Sequence, residues 1–296
     1  MGNVLFKELS IAKQKTTYDE YVKRILGNRI ILAWILKYTT EEFRDCSVDE
    51  IAEDYIIDGV EISESSIIPG QKKNRRIVGQ NTEDKVPEEG IVTFDIRFQA
   101  IAPEKSRYIK LLINVEAQKD FYPGYEIVTR GIFYGARMIS SQLDTEFSGS
   151  DYNDVKKVYS IWICMNGPKF IGNAIAEYSI KKRDVVGSFP DKRSSYDKMT
   201  VILLCLFGEM KDSDNAILQL LSVLLSSEIE LEQKKKILDK EYGIRDEMLG
   251  KELDNMCNLS ELVWERAMEK GIEQGIEQGI ELKLRELIAK KKAKGK

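Results

Sequence analysis

The sequence predicts an α/β fold in which strands and helices pack as a sandwich, followed by an α-helical C-terminal region. Three segments have the apolar patterns of strands, and these are residues 91–102, 107–118 and 155–165. Between the second and third of them, residues 125–143 carry apolar side chains at helical spacing. After about residue 195 the pattern becomes helical, and the predicted helices are residues 199–210, residues 216–238 and a segment from residue 260 onward.

The flanking segments complete this outline. Residues 18–45 predict helices that cover one side of the core, and residues 47–50 form a capping-box pattern that starts another short turn. Residues 58–90 are rich in Gly, Ser, Asn, Pro and mixed charge, which predicts a long loop. The short turn at residues 102–106 predicts an antiparallel hairpin, and residues 174–186 predict a fourth strand.

The chain divides into three predicted regions, which are a core with N-terminal helices at residues 1–195, a helical region at residues 196–262 and a tail at residues 263–296. The tail repeats Gly-Ile-Glu-Gln and ends in a lysine-rich stretch. Its isoleucines form one thin apolar stripe, which predicts a homo-oligomer through the C-terminal helix. The alternative is a frayed tail, because each interior glycine costs about 1 kcal/mol relative to alanine. The lysine-rich end could contact phosphates or stay solvated.

Composition excludes several classes of catalytic site. The 296 residues contain no histidine, which rules out Ser-His-Asp triads, Cys-His pairs and His-ligated zinc. The four cysteines form no CxxC pair, which argues against a zinc ribbon or a redox dithiol. The net charge of −4 gives no global attraction to nucleic acid, so DNA contact must come from local basic patches. The apolar runs are far shorter than the ~20 residues of a bilayer helix, and the N-terminus has no signal-peptide pattern. We therefore expect a cytoplasmic protein without membrane contact.

Acidic residues interrupt segments that otherwise have the pattern of buried strands. Side chains alternate along a strand, so Glu116, Gln118 and Asp120 share one face, and in a hairpin Asp95 can lie on the same side. Two adjacent carboxylates repel each other, and a hard cation such as Mg²⁺ relieves that repulsion and can activate water for phosphodiester hydrolysis. Under the alternative interpretation this face is solvated and the acids pair with basic neighbours. Those neighbours are Arg97, Arg107 and Lys110.

The helix at residues 125–143 supplies candidate DNA- or phosphate-binding residues. Arg130 and Tyr134 are four residues apart and share a face that can look back toward the acids. The Arg130 guanidinium can hold a phosphate through two parallel hydrogen bonds, and the Tyr134 hydroxyl can orient a water or a phosphate oxygen. Arg137, about two turns beyond Arg130, would extend the basic surface. Taken singly, each residue fits equally well as a surface charge or a core aromatic.

Five short motifs lie between residues 92 and 166, and they are Val92-Thr-Phe-Asp-Ile-Arg-Phe98, Asn114-Val-Glu-Ala-Gln-Lys-Asp120, Pro123-Gly-Tyr125, Arg130-Gly-Ile-Phe-Tyr-Gly-Ala-Arg137 and Tyr159-Ser-Ile-Trp-Ile-Cys-Met-Asn166. With these motifs the chain resembles the PD-(D/E)XK nuclease family transposases of bacteria, which are similar to the recombination-promoting nucleases. The resemblance covers most of residues 18–280 and is most specific in residues 91–166. The Gly-Ile-Glu-Gln repeat is also similar to the tails of that group.

The resemblance implies a restriction-endonuclease-like core, a mixed β-sheet flanked by helices, and Mg²⁺- or Mn²⁺-dependent DNA cleavage in a mobile-element or recombination context. It implies that Asp95 and Glu116 hold the metal, with a backbone carbonyl near Ala117 or Gln118 as a further ligand. Gln118 stands where the motif has lysine and would position the attacking water, although a neutral amide lacks the charge of lysine. Lys119 is a further catalytic candidate, but on a regular strand it points to the other face.

Two other functions are left open by the sequence. The first is a catalytically decayed nuclease scaffold that acts as a DNA- or protein-binding oligomer. Gln118 favours this alternative, whereas the retained acidic pair favours an enzyme. The second is a purely structural interaction protein, in which the helical half and the repeat tail would be the working parts.

Overall fold

A six-stranded mixed β-sheet with helices on both faces lies at the centre of the protein. The computed structural model describes residues 17–57, 61–62, 83–86, 90–104, 107–208, 215–226 and 228–258. The strands are β1 (Glu61–Ile62), β2 (Glu83–Val86), β3 (Gly90–Thr93), β4 (Ile96–Glu104), β5 (Arg107–Asp120), β6 (Lys157–Asn166), β7 (Ala174–Ser179) and β8 (Met199–Cys205). The helices are α1 (residues 17–26), α2 (Arg29–Thr39), α3 (Val48–Glu50), α4 (Ile127–Ser140), α5 (Arg193–Tyr196), α6 (Ala216–Leu225), α7 (Leu231–Tyr242) and α8 (residues 247–258).

The strands of this sheet follow the order β1-β4-β5-β6-β8-β7. Strand β4 is antiparallel to β5, β6 is parallel to both β5 and β8, and β7 is antiparallel to β8. Parallel neighbours need a crossover connection, and α4 provides it between β5 and β6. Strands β2 and β3 form a separate antiparallel pair. The expected α/β architecture with a mixed sheet flanked by helices is therefore confirmed.

The two faces of the sheet differ because side chains alternate along β5. Ile113 and Val115 belong to the larger apolar cluster, which α1, α2 and the C-terminal helices cover. Leu112 belongs to the smaller cluster, which α4 covers. Asn114 and Glu116 follow Leu112 at intervals of two residues, so they lie on the α4 face.

Most of the local predictions are confirmed. The capping box is present, with the Ser47 N–H donating to a Glu50 carboxylate oxygen at 2.7 Å. Strands β4 and β5 pair antiparallel across the predicted turn, and α4 lies within the predicted helix. Strands β6 and β7 lie where the third and fourth strands are expected, although β7 ends at Ser179.

Two predictions in the second half of the chain are wrong. Residues 199–205 form strand β8 rather than a helix, because a strand buried on both faces has a continuous apolar run without a diagnostic period. The sheet thus extends past the predicted boundary near residue 195. The single helix predicted for residues 216–238 is two helices, since α6 ends at Leu225 and α7 begins at Leu231.

The continuous strand predicted for residues 91–102 is also wrong. The chain leaves the β2–β3 pair after Thr93, bends at Asp95 and enters the main sheet at Ile96. As a result, the Phe94 side chain joins the cluster under α4, whereas Ile96 and the alternate residues after it join the cluster on the other face. The expected single packed row from residue 92 to residue 98 is therefore divided between the two faces.

Several predictions fall outside the described residues. These are the helix from residue 260 onward, the repeat tail at residues 263–296, and most of the loop at residues 58–90. Among the residues that the structure describes, no helix is long and apolar enough to cross a membrane.

Helix α4 approaches the sheet closely through two glycines, and the two should respond differently to substitution. A Cβ at Gly131 would lie 2.6 Å from Val201 Cγ1, a short branched side chain that has little room to move. We expect Gly131→Ala to lower the free energy of unfolding by about 1–3 kcal/mol, although alanine favours a helix. A Cβ at Gly135 would meet the flexible Met199 side chain, so Gly135→Ala should be close to neutral. Urea denaturation measures both effects, and equal costs at the two positions would contradict this packing.

Candidate functional site

The carboxylates of Glu116 and Asp95 accept hydrogen bonds from the backbone N–H groups of Asp95 and Ala117, respectively. The Asp95 N–H donates to Glu116 Oε1 at 2.9 Å, and the Ala117 N–H donates to Asp95 Oδ2 at 3.1 Å. Regular pairing between β4 and β5 ends at Ile96 and Val115, so Asp95 would be opposite Glu116 in the next pair. Here the N–H groups of Asp95 and Ala117 donate to carboxylate oxygens and not to backbone carbonyls of a regular ladder. This exchange joins the predicted acidic residues at the bend of the chain.

Glu116 is a buried acid. Only 3% of its surface is exposed, and it lies on the α4 face of β5. Burial raises the pKa of Glu116 well above its usual value, and the nearby charge of Asp95 raises this pKa further. The hydrogen bond from Asp95 N–H, the charge of Arg130 and the amide of Asn114 lower it, but the raising effects are larger. The carboxyl group of Glu116 therefore holds its proton more tightly than an exposed glutamate does.

Lys23 pairs directly with Asp95, although the sequence did not mark it as a site residue. Its Nζ lies 2.7 Å from Asp95 Oδ1, and the two side chains are only 14% and 17% exposed. Lys23 lies on α1 beside Val22, which is fully buried in the larger apolar cluster. A lysine in an amphipathic helix carries no signal of such a distant contact, because the pairing depends on how α1 packs against the sheet.

Arg130 is held by aromatic side chains at the same site. It donates from Nη1 to the Tyr125 hydroxyl and from Nη2 to the Tyr134 hydroxyl, the latter at 2.7 Å. Its guanidinium also lies over the rings of Tyr134 and Trp162, at 5.0 and 5.1 Å from their centroids. The charge of Arg130 lowers the pKa of Glu116, so the guanidinium lies close enough to interact electrostatically with that acid.

The other candidate residues, Gln118, Lys119 and Arg137, have different surroundings. Gln118 lies two residues beyond Glu116 on β5 and is half-buried. Lys119 is exposed on the opposite face, with Nζ 5.9 Å from the Tyr18 ring centroid. Arg137 is only 4% exposed, so the expectation that it extends a basic surface is wrong. At its position on α4 the helix faces the protein interior.

Two of the three basic neighbours considered for a solvated face, Lys110 and Arg97, have other contacts. Lys110 pairs with Glu146, with Nζ 2.6 Å from Oε1. Arg97 is buried, lies 5.0 Å from the centroid of the Phe94 ring and donates to the Ser141 hydroxyl. The side chain of Arg107 lies outside the described residues. The cation that does pair with Asp95 comes from α1 instead.

The residues at this site are compatible with a hydrated Mg²⁺ ion. In the described part of the chain, His, Cys, Asp and Glu side chains form no group of three or more with metal-binding geometry. Mg²⁺, however, often takes only one or two carboxylates and completes its shell with water and substrate phosphate. Asn114, adjacent to Glu116 on the same face, is fully buried, and its two amide atoms have no hydrogen-bond partner of normal geometry in the structure. An amide in this position can bind a metal-coordinated water.

Comparison with known proteins adds no family assignment. No protein-family model matches the chain, and no curated protein or solved structure shows significant similarity to it. The functional inference therefore depends on the side chains at the acidic pair and on the cations around them.

The raised pKa of Glu116 predicts how the stability of the protein depends on pH. Folding raises the pKa of this carboxyl group and so favours its protonated form. Its contribution to stability is therefore fully present below its usual pKa of 4.5, where the group is protonated in both states. That contribution is lost as the pH rises through the higher folded-state value. At pH 8 without metal we expect Glu116→Gln to raise the melting temperature by about 2–4 °C, which corresponds to about 1 kcal/mol. Scanning calorimetry at pH 5 and pH 8 measures this effect.

A matched variant controls for the loss of any glutamate. Glu146 is also partly buried but pairs with Lys110, so Glu146→Gln should leave the melting temperature unchanged or lower it at pH 8. A lower melting temperature for Glu116→Gln at pH 8 would show that the ionised carboxylate is well stabilised in the fold.

Proposed function

We propose that the protein is a metal-dependent DNA endonuclease with a restriction-endonuclease-like core. The observation that carries the proposal is the acidic pair, in which Glu116 accepts a hydrogen bond from the Asp95 N–H and Asp95 accepts one from the Ala117 N–H. Burying two carboxylates side by side is costly unless a cation offsets their repulsion. Two acids in this arrangement are suited to binding a divalent cation. Lys23 and Arg130, which act on the same pair, are suited to binding an anionic substrate.

Asp95 and Glu116 would hold Mg²⁺ or Mn²⁺, with a backbone carbonyl near Ala117 or Gln118 as a further ligand. When bound, the metal would lower the pKa of a water molecule and stabilise the charge that develops on the phosphodiester. Gln118 lies on the same face of β5 as Glu116, where its amide can orient the attacking water. Asn114 can hold a second water from the same face.

Arg130 would bind the phosphate. Hydrogen bonds from its two Nη atoms to tyrosine hydroxyls restrict the guanidinium, so little side-chain entropy is lost when a phosphate binds. Burial raises the pKa of Tyr134, which keeps its hydroxyl protonated and able to donate to a phosphate oxygen. These features support phosphodiester hydrolysis in DNA, in the mobile-element or recombination context that the resemblance implies.

Cleavage of supercoiled plasmid tests the nuclease directly. With Mg²⁺ or Mn²⁺ the wild-type protein should nick the plasmid, and EDTA should abolish nicking. Asp95→Asn and Glu116→Gln should each lower the rate by at least about 100-fold, because each removes a charged ligand from the metal. Glu146→Gln, which removes a partly buried carboxylate away from the site, should cleave like the wild type.

A folded wild-type protein that leaves plasmid and linear DNA intact with both metals would contradict the proposal. The decayed scaffold would then be favoured, with Gln118 in place of a lysine as its feature. In that case DNA binding measured by fluorescence anisotropy would separate a DNA-binding scaffold from one that binds protein.

The role of Arg130 can be measured by a conservative change. Arg130→Lys keeps the charge but loses the paired donors, so cleavage should slow by roughly 10- to 100-fold, in line with the loss of one charge-assisted hydrogen bond. The control is Arg183→Lys, which changes an exposed arginine outside the site. Single-turnover rates at several DNA concentrations give the comparison, and equal rates for both variants would remove Arg130 from the phosphate site.

A further inference from the structure

We propose that Lys23 is a positioning residue of the acidic pair. Its ammonium group holds the Asp95 carboxylate in one orientation and supplies positive charge beside the scissile phosphate, where Gln118 supplies none. This inference depends on the proposed nuclease function and names a residue of that site on a different helix.

The contact geometry is direct. Lys23 Nζ lies 2.7 Å from Asp95 Oδ1, while the other oxygen of the same carboxylate accepts from the Ala117 N–H at 3.1 Å. The two donors approach the carboxylate from different elements, so they fix its rotation. A carboxylate that is held in this way is ready to bind a ligand without rearrangement.

The charge balance of the site also requires a cation. Phosphodiester hydrolysis increases the negative charge on the phosphoryl oxygens, and fixed positive groups stabilise the transition state. Gln118 is neutral, and the Lys119 ammonium lies beside Tyr18 on the other side of β5. Among the described residues, the cations that act on the acidic pair are Lys23 and Arg130.

Anchoring of α1 does not explain this ion pair. The helix is already held by Val22, Ile25 and Leu26, which are all fully buried in the larger apolar cluster. Each such side chain contributes roughly 1.5–3 kcal/mol by burial. The Lys23–Asp95 pair is mostly buried, so the cost of desolvating its two charges offsets much of their attraction. The position of Lys23 is therefore better explained by the carboxylate that it contacts than by the stability of the helix.

The proposal is tested by removing the positive charge of Lys23 from α1 and by placing a lysine at position 118 of β5. The variants are Lys23→Met, Lys23→Arg, and Lys23→Met combined with Gln118→Lys. The matched control is Lys110→Met, which removes a lysine from an ion pair away from the site. Each protein is measured by thermal melting, by Mn²⁺ titration in a calorimeter, and by single-turnover plasmid cleavage at saturating Mn²⁺.

We expect Lys23→Met to cleave roughly 100-fold more slowly, which is the usual effect of losing one preorganised donor at a transition state. It should bind Mn²⁺ at least as tightly as the wild type, because a positive charge next to the metal ligands has been removed. Lys23→Arg should keep part of the rate. The double variant should recover at least about tenfold over Lys23→Met, since lysine at position 118 restores the charge on the face of Glu116.

Other outcomes overturn the inference in distinguishable ways. If the wild type cleaves and Lys23→Met cleaves within about threefold of it, Lys23 has no positioning role and the nuclease proposal stands. If Lys23→Met loses Mn²⁺ binding or melts much lower, and the double variant restores nothing, Lys23 is only a structural ion pair. A folded wild type that binds no Mn²⁺ and cleaves nothing refutes the nuclease itself, and this inference is refuted with it.

Discussion

The hydrogen bonds from the Asp95 N–H to Glu116 and from the Ala117 N–H to Asp95 are the constraint on which the arrangement of the core depends. Because two carboxylates replace backbone acceptors at this position, regular pairing of β4 with β5 stops at Ile96 and the chain bends. The bend turns Phe94 into the cluster under α4, while Ile96 enters the cluster on the opposite face. The replacement of backbone acceptors by two carboxylates thus determines that Phe94 and Ile96 pack on opposite faces of the sheet.

The arrangement is costly for stability alone. Burial beside another acid disfavours the ionised form of Glu116, and Asn114 buries two amide atoms that make no hydrogen bond of normal geometry. Apolar side chains of similar volume would fit the same face of β5 at lower cost. Buried polar groups that conflict with local packing are typical of functional sites, where a ligand completes what the fold leaves incomplete.

The parts that could be predicted from the sequence are those set by local periodicity. The alternation along β5, the helical spacing in α4 and the Ser47–Glu50 capping box all depend on residues a few positions apart. By contrast, β8 was missed because burial on both faces removes its period. Lys23 was missed for a different reason, because its contact with Asp95 exists only after α1 packs on the sheet.

Two cations reach the acidic pair from opposite sides of the sheet. Helix α1 packs on the larger cluster and brings Lys23 to Asp95, whereas α4 covers the other face and brings Arg130 toward Glu116. A continuous β-ladder at residues 94 and 95 would separate the two faces, since neighbouring side chains would point apart. The bend removes that separation at a single point in the sheet. The interruption of the strand is therefore what allows groups from both layers to act on one pair of acids.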